Sequence, residues 1–334
     1  MPVELSILDL APIARGQTAA DSFHASVLLA QQAERLGYKR VWYAEHHNMA
    51  TIASSATSVL IAHVAAHTDS IRLGAGGVML PNHAPLVIAE QFGTLEAMHP
   101  GRIDLGLGRA PGADQFTMLA LRRSASSAAS FPDDVRELQA YLIGHSVIPG
   151  VDAVPGKGSD VPLYILGSSM FGAHLAAELG LPYAFASHFS PGLLDEAIAA
   201  YRDGFQPSAH LDRPYVMAGV NVLAADTTEE AHAHLRTVRR TRAIGLYGRR
   251  PGVDSSNLTD EQADQLLAAG LDVHVDEMLT FTAIGTSSDV RRYLTSFADR
   301  IGADELITAH YAPEIEARLR SVELAAQAMN LVAA

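Results

Sequence analysis

The stretch "RVWYAEHHNMATIASSATSVLIAHVAAHTDSIRLGAGGVML", Arg40 to Leu80, contains a strand pattern, a helix pattern and a second strand pattern, in that order. The flanking segments "RVWYAEH" and "IRLGAGGVML" are short and apolar, and the middle segment "SSATSVLIAHVAAHT" is long and rich in small apolar residues. Two strands separated by a helix are typical of a parallel pair joined by a crossover. The stretch therefore predicts an α/β fold.

The same alternation continues along the whole chain. The other strand patterns are "VELSILDL", "RIDLGLGRA", "PLYILGSS", "YAFASHF", "YVMAGVNVLAA" and "ELITAH". Eight strands with intervening helices and no composition break predict one α/β domain over residues 1–334, a (β/α)8 TIM barrel. A doubly wound open sheet is the alternative.

Two longer stretches interrupt the alternation. One covers residues of about 112–131 and is rich in serine and alanine, and the other covers about 243–280 and contains "YGRRPGVDSSN" as its most loop-like piece. The second stretch is expected to be irregular. Because long connections in compact domains are often functional, we predict that both insertions are lids over the C-terminal rim of the barrel.

The composition excludes several classes of function. The 334 residues are 48% hydrophobic and 18% charged, with a net charge of −13, which argues against nucleic acid or an anionic membrane as a partner. The densest basic cluster, "RRTR" at Arg239 to Arg242, is expected on a solvated helix face. The absence of cysteine excludes disulfides, thiolate metal sites and cysteine nucleophiles. With no signal-peptide pattern and no membrane-spanning run, we expect a soluble, cytoplasmic protein.

Polar residues gather at the predicted strand ends. In barrels of this kind the active site lies at the carboxyl ends of the strands. The residues at those ends are Asp9, Glu45, His46, Asn82, Arg109, Ser168, Ser169, Ser187, His188 and His310. Their convergence on one rim is the strongest indication of an active site in the sequence.

Two of these strand ends are typical of an anion site. Arg109 follows "DLGLG", and "LGSSMFGA" opens a helix with small residues. The free N–H groups of a helix N-terminus and the fork of an arginine both suit a phosphate. Alternatively, Ser168 or Ser169 caps the helix and Arg109 lies on the surface, and the residues alone leave both interpretations open.

The third strand and the end of the second contain unusual residues. Glycine is kept inside a strand where the backbone bends or approaches a ligand, so Gly76 and Gly77 predict a bulge or an unusual peptide bond. His46 and His47 are neighbours, so on a strand only one of them faces the pocket, and we predict no metal site there. Glu45 could fix the tautomer of a neighbouring imidazole. The alternative is one structural and one exposed histidine.

Three long segments resemble the bacterial luciferase-like, flavin-dependent monooxygenases. They are "VWYAEHH", "GAGGVMLPNHAPLVIAEQFGTLEAMHPGRIDLGLGRAPG" and "LGSSMFGAHLAAELGLPYAFASHF", in the family's order. The resemblance runs from the first strand to the last. It implies a TIM barrel that binds reduced FMN and forms a homodimer through its second and third helices.

The resemblance also implies roles for individual residues. His46 would be catalytic with Glu45 beside it, and a cis peptide bond between Gly76 and Gly77 would lie under the flavin ring. The residues implied to hold the FMN phosphate are Arg109, Ser168, Ser169 and the backbone near Gly172. Ser168 and Gly172 stand where luciferase has a glutamate and a threonine, and this chain resembles the non-luminescent branch.

These features lead to one functional hypothesis and two alternatives. As no second nucleotide fingerprint is evident, a separate flavin reductase would supply FMNH2. Dioxygen would form a C4a-peroxyflavin that transfers one oxygen atom to an organic substrate, as in secondary-metabolite tailoring, with His46 as hydrogen-bond donor or acid/base. The alternatives are deazaflavin (F420)-dependent hydride transfer and a non-catalytic flavin-binding protein.

Overall fold

Parallel pairing closes the strands into a barrel. The computed structural model describes residues 3–110, 114–123, 125–248, 250, 253, 255 and 257–331. Its strands are β1 Glu4–Asp9, β2 Arg40–Tyr43, β3 Arg72–Met79, β4 Ile103–Gly108, β5 Leu163–Gly167, β6 Tyr183–Phe185, β7 Val216–Ala224, β8 Thr282–Gly285 and β9 Glu305–His310. Strands β1 to β7 pair in sequence, and β9 joins β7 to β1. The predicted TIM barrel is confirmed, and the open sheet is wrong.

Helices connect the strands. They are α1 Ala19–Arg35, α2 Thr57–Ala65, α3 Pro85–Met98, α4 Gln115–Ala120, α5 Phe131–Ile143, α6 Met170–Leu179, α7 Leu194–Gly204, α8 Thr228–Gly248, α9 Asp260–Leu266, α10 Asp272–Met278, α11 Ser287–Ile301 and α12 Ile315–Met329. A 3-10 turn, Leu80–Asn82, follows β3, another spans Ala125–Ala128, and a π-helical segment, Leu267–Leu271, joins α9 to α10. None of the helices in the described part of the chain is long and apolar enough to cross a membrane.

Local sequence signals set the ends of several helices. Thr18 and Asp21 form a capping box at the start of α1, because each side chain accepts the backbone N–H of the other. Gly144 and Gly180 follow α5 and α6 in the left-handed conformation that glycine adopts without steric cost. These caps place the helix ends, and the apolar faces then fix how the helices pack on the barrel.

The residues of each strand alternate between two cores. Outward-facing residues pack under the helices in a large cluster, whereas Leu8, Trp42, Tyr164 and Met217 belong to a smaller cluster. Because successive side chains of a strand point to opposite faces, the smaller cluster is the interior of the barrel. The same alternation on β7 places Gly219 on the inward face with Met217.

Close backbone approach explains the glycines in β3 and β4. The pairing register of these strands shifts between Ala75 and Val78, so the predicted bulge is confirmed, and the peptide bond between Gly76 and Gly77 is cis. A Cβ atom on Gly77 would lie 2.8 Å from the carbonyl oxygen of Gly106. A Cβ on Gly106 would lie 2.3 Å from that of Ala75. A larger residue at either position would force the two strands apart.

A buried ionic network fills the amino-terminal end of the barrel interior. The Arg40 guanidinium lies 2.7 Å from the Asp104 carboxylate and 3.0 Å from that of Glu305, and both carboxylates are fully buried. Trp42 donates its indole N–H to Asp104 at 3.1 Å, and Tyr215 donates to Glu305 at 2.8 Å. Burial alone lowers the pKa of Arg40, but the charges of Glu305 and Asp104 raise it above its ordinary value. The network joins β2, β4 and β9 across the barrel.

The second insertion differs from the expectation. Where the structure describes residues 243–280, they are mostly helical rather than irregular: α8 continues to Gly248, and α9 and α10 follow. The segment "DEQADQLLAAGLDVHVDEM" is rich in strong helix formers, and the turn-like "RRPGVDSSN" beside it misled the prediction. The short strand β8, which pairs with the end of β7, was not predicted. The first insertion contains α4 and one 3-10 turn, and residues 111–113 and 124 lie outside the description.

Replacing Gly106 with alanine should destabilise the barrel. The added Cβ has no space beside the Ala75 carbonyl, and overpacking of this kind costs about 1–3 kcal/mol. Urea unfolding followed by circular dichroism measures the loss. Gly192→Ala is the matched control, because no heavy atom lies within 4 Å of a Cβ there. Equal stability of the two variants would contradict the close approach of β3 and β4.

Candidate active site

The carboxyl ends of the barrel strands bring polar side chains together at one end of the molecule, here called the mouth. Glu45 and His46 follow β2, and Arg109 follows β4. The other mouth residues are His47, Asn82 and His83 after β2 and β3, Ser168 and Ser169 after β5, His188 after β6, Asn221 in β7 and Tyr311 after β9. The predicted convergence of strand-end residues is therefore realised for most of the set.

The carboxylate of Glu45 organises the part of the mouth near β2 and β3. Its Oε1 lies 2.8 Å from Nε2 of His47 and 2.9 Å from Nε2 of His83. The backbone N–H of Met79 donates to Oε2 at 3.0 Å, and the side-chain amide of Asn82 donates to Oε1 at 3.3 Å. One buried carboxylate thus fixes two imidazoles and the turn after β3. We call these residues, with Glu45 at their centre, the Glu45 cluster.

Burial and hydrogen bonding act in opposite directions on Glu45. Its side chain is 1% exposed, and burial raises its pKa, but the hydrogen bonds from His47 and His83 together lower it to about 2. The bond to Glu45 raises the pKa of His47. Glu45 is therefore a carboxylate at neutral pH, and it holds both imidazoles in fixed orientations.

The Glu45 cluster changes two expectations from the sequence. Strand β2 ends at Tyr43, so the rule that neighbouring residues face opposite sides of a strand does not apply to His46 and His47. His83 was not predicted as a site residue. The signal was present, because β2 and β3 pair in parallel and their carboxyl ends must lie side by side.

His46 and His188 lie close together on the other side of the mouth. His46 is half-buried, and its backbone N–H donates to the Ser54 carbonyl at 3.1 Å. His188 is 7% exposed. Burial, followed by the charges of Arg242 and His46, lowers the pKa of His188 to about 3. His188 is therefore neutral at physiological pH, and both imidazoles are within electrostatic reach of each other.

Helix α8 places Arg242 over the mouth. Its guanidinium donates to Oδ1 of Asn221 at 3.4 Å and lies 4.8 Å from the ring centre of Tyr311. Asn221 in turn donates to the backbone carbonyl of His188 at 2.8 Å. The expectation that the "RRTR" cluster lies on a solvated helix face is wrong for Arg242, because its side chain is half-buried and contacts Asn221 and Tyr311 of the barrel.

The N-terminus of α6 lies beside Arg109. Ser169 occupies the N-cap position with extended backbone, and its side chain caps none of the described N–H groups of the helix. The Arg109 side chain is exposed, and its guanidinium lies 4.0 Å from the ring centre of Phe171 in the first turn of α6. Gly172 packs against the ring of Tyr183. The arrangement leaves helix N–H donors and a guanidinium on the same side, as a bound phosphate requires.

Three strand-end residues have structural partners instead. Asp9 and Ser187 are buried and hydrogen-bonded to nearby protein groups. The ring nitrogens of His310 lie 2.9 Å from the Ser321 hydroxyl and 3.1 Å from that of Thr308. Among the residues that the structure describes, no group of three or more histidine, aspartate or glutamate side chains has the arrangement of a metal site.

Comparisons with known proteins point to one family. The family model described as luciferase-like monooxygenase matches residues 3–305. A luciferase-like monooxygenase of Escherichia coli (strain K12) is 47% identical over 324 residues, which cover 97% of this chain and 96% of that protein. An N-acetyl-S-alkylcysteine monooxygenase of Bacillus subtilis (strain 168) is 37% identical and 88% of each chain is covered. The crystal structure of apo-MsnO8 superposes with a TM-score of 0.87, 35% identity and 99% coverage of both chains.

Replacing Glu45 with glutamine should lower the pKa of His47, because the amide removes the negative charge that stabilises the imidazolium. Because folding raises the pKa of His47, this group stabilises the folded protein below pH 6.5, the ordinary pKa of histidine, and the stabilisation is lost as the pH rises. Because folding lowers the pKa of Glu45, that group stabilises the folded protein above pH 4.5, the ordinary pKa of glutamate. The stability difference from wild type should thus be largest between about pH 4.5 and 6.5. Histidine NMR titration and urea unfolding measure both effects.

The matched control for this variant is Glu196→Gln, which changes an exposed carboxylate on α7. It should leave the His47 resonances unchanged. If Glu45→Gln leaves them unchanged as well, the hydrogen bond between Glu45 and His47 is not formed in solution.

Proposed function

Since this chain belongs to the luciferase-like monooxygenase family, we propose that it is the oxygenase component of a two-component system that uses reduced FMN. A flavin reductase, as a transient partner, would supply FMNH2. One atom of dioxygen would enter a small organic substrate, and the other would leave as water. The observation that carries the proposal is the uncapped N-terminus of α6 beside Arg109, at the same mouth as His46.

The residues around α6 fit the phosphate of FMN. The ten-residue helix offers its first N–H groups, and the side chains of Ser168 and Ser169 add hydroxyl donors. The exposed guanidinium of Arg109 adds a charge-assisted donor fork, and its stacking on Phe171 restricts its orientation. Gly172 keeps the first turn of the helix free of side-chain bulk. These groups would hold the phosphate.

The backbone at Gly76 and Gly77 fits the flavin ring. Gly76 is only half-buried, and Trp42 and Leu8 lie within 3.0 Å of where its Cβ would be, so no larger side chain fits over this backbone. A planar ring could therefore approach the β3 backbone at the mouth closely. When bound, reduced FMN would supply the electrons that activate dioxygen.

The protein side chains would control protons and water. His46 would donate a proton or hydrogen bond at the reacting oxygen, for which imidazole is suited near neutral pH. Glu45 is buried and hydrogen-bonded to other protein groups. It would therefore act by holding His47 and His83, which form one wall of the site, in position. The organic substrate would bind at the mouth beside His46 and His188.

The two insertions would exclude water as lids. Asp114 is the N-cap of α4, and its carboxylate accepts a hydrogen bond from the side-chain amide of Asn48 at 3.0 Å. Asn48 lies two residues after His46. Helix α4 exposes Phe116 and Leu119, which are 75% and 69% accessible. Closure over a bound ligand would bury these apolar side chains, which favours the closed state.

The outer faces of α2 and α3 support the proposal of a homodimer. Val59 on α2 is 68% exposed, and Val87 and Met98 on α3 are 43% and 53% exposed. Lysine, arginine and acidic residues are absent from α2, "TSVLIAHVA". Helices that are apolar on their outer as well as their inner face are usually buried. A second copy of the chain would cover this surface.

Replacing Arg109 with glutamine should weaken FMN binding by about 10- to 100-fold, because a charge-assisted bidentate contact to the phosphate is lost. Riboflavin, which lacks the phosphate, should bind wild type and variant equally well. Fluorescence titration with both flavins gives the ratio of affinities, and Arg213→Gln at an exposed site is the control. If both flavins lose affinity in parallel, Arg109 has a structural role and the phosphate lies elsewhere.

Mixing the reduced FMN–protein complex with oxygenated buffer tests the reaction itself. We expect oxidised FMN and hydrogen peroxide to appear at least roughly tenfold more slowly than from free FMNH2, because the mouth excludes water. His46→Ala should restore fast release of hydrogen peroxide, whereas His24→Ala, an exposed position on α1, should not. Stopped-flow absorbance and a peroxide assay follow both products. Binding of the deazaflavin F420 in place of FMN would favour the hydride-transfer alternative.

A further inference from the structure

The three arginines of the "RRTR" cluster on α8 have different partners. Arg239 lies 2.5 Å from the Asp276 carboxylate on α10, and Arg240 lies 2.7 Å from that of Asp264 on α9. These ion pairs hold the second insertion against α8. Arg242 follows Arg240 by two residues, which corresponds to about 200° around the helix, so it points to a different face. That face is directed at the barrel mouth.

Arg242 faces the mouth without a counter-ion among the described carboxylates. Its contacts there are the neutral amide oxygen of Asn221 at 3.4 Å and the ring of Tyr311 at 4.8 Å. The chain has a net charge of −13, and Arg239 and Arg240 both have acidic partners. A half-buried guanidinium next to neutral groups retains the donors that an anionic ligand needs.

A second polar group lies beneath Arg242. The Nδ1 atom of His188 is buried and makes no hydrogen bond to any described residue. The ring packs on Gly219, where a Cβ would lie 2.3 Å from Nδ1, so it covers the inward face of β7. Asn221 connects the two groups, since it donates to the His188 carbonyl at 2.8 Å and accepts from Arg242. Because Nδ1 lies against the β7 backbone, a ligand at the mouth does not reach it, and the His188 ring forms a wall of the site next to Arg242.

We propose that Arg242 binds a carboxylate of the organic substrate at the barrel mouth. The inference rests on the proposed function, and it narrows the substrate class to carboxylic acids. The planar guanidinium forms two parallel hydrogen bonds to a carboxylate. Tyr311, which packs against Arg242, restricts the orientation of the guanidinium. The phosphate of FMN would use the separate donors near Arg109.

The experiment measures binding rather than turnover. Calorimetry compares matched carboxylates and primary amides on the FMN-loaded protein without dioxygen: hexanoate and hexanamide, phenylacetate and its amide, and N-acetyl-S-benzylcysteine and its amide. At least one carboxylate should bind about tenfold or more tightly than its amide. Arg242→Gln should abolish that preference and Arg242→Lys should retain part of it. Arg236→Gln, an exposed position on the same helix, should leave it unchanged.

Three results would overturn the proposal. One is that every carboxylate binds no better than its amide, or that none binds. Another is that Arg242→Gln weakens both members of a pair equally, which is the outcome of a structural role. The third is that Arg242→Gln weakens reduced FMN while the carboxylate preference persists, which would assign Arg242 to the flavin. Because oxygen is absent, failure of the monooxygenase reaction would not alter these results.

Discussion

The buried ion pairs of Arg40 with Asp104 and Glu305 are the constraint on which the barrel depends. Three charges without access to water are tolerated only when each compensates the others, and loss of one partner typically costs about 3–5 kcal/mol. The network joins strands that are distant in sequence, and its carboxylates accept further hydrogen bonds from Trp42, Arg72, Ser6 and Tyr215. It fills the amino-terminal end of the interior, so the open space of the barrel lies at the other end.

Small residues distinguish the carboxyl-terminal end of the barrel interior from the ionic amino-terminal end. Above the ionic layer the interior is filled by Trp42 and its apolar neighbours, and above these the inward positions of β3, β4 and β7 include Gly76, Gly108 and Gly219. Because these positions have no side chain, larger neighbours pack directly on the backbone there: Trp42 and Leu8 at Gly76, Met79 at Gly108 and His188 at Gly219. The charged groups around the mouth are the Glu45 carboxylate, whose oxygens are all hydrogen-bonded to protein groups, and arginines that are exposed or half-buried. Within the mouth of this acidic protein, Arg109 and Arg242 are the cations that would meet anionic ligand groups.

How far the sequence predicts this structure depends on how local each signal is. The alternation of strand and helix patterns predicts the barrel, and strand ends predict the mouth, because both follow from the side-chain periodicity and parallel pairing. The π-interrupted helix pair in residues 260–278 was missed because a turn-rich neighbour obscured good helix formers. The strand β8 was missed because four residues carry little pattern, and it forms by pairing with the end of β7.

Residue types next to strand patterns were enough to predict the fold class, the position of the mouth and Glu45, His46 and Arg109 as candidate site residues. The contacts of these residues, by contrast, follow only from how the strands and helices pack. Glu45 meets His83 because β2 and β3 are adjacent in the sheet, and Arg242 reaches Asn221 because α8 passes over the barrel. These contacts join residues 21 to 38 positions apart, and their geometry depends on helix rotation and strand register, which residue types do not encode.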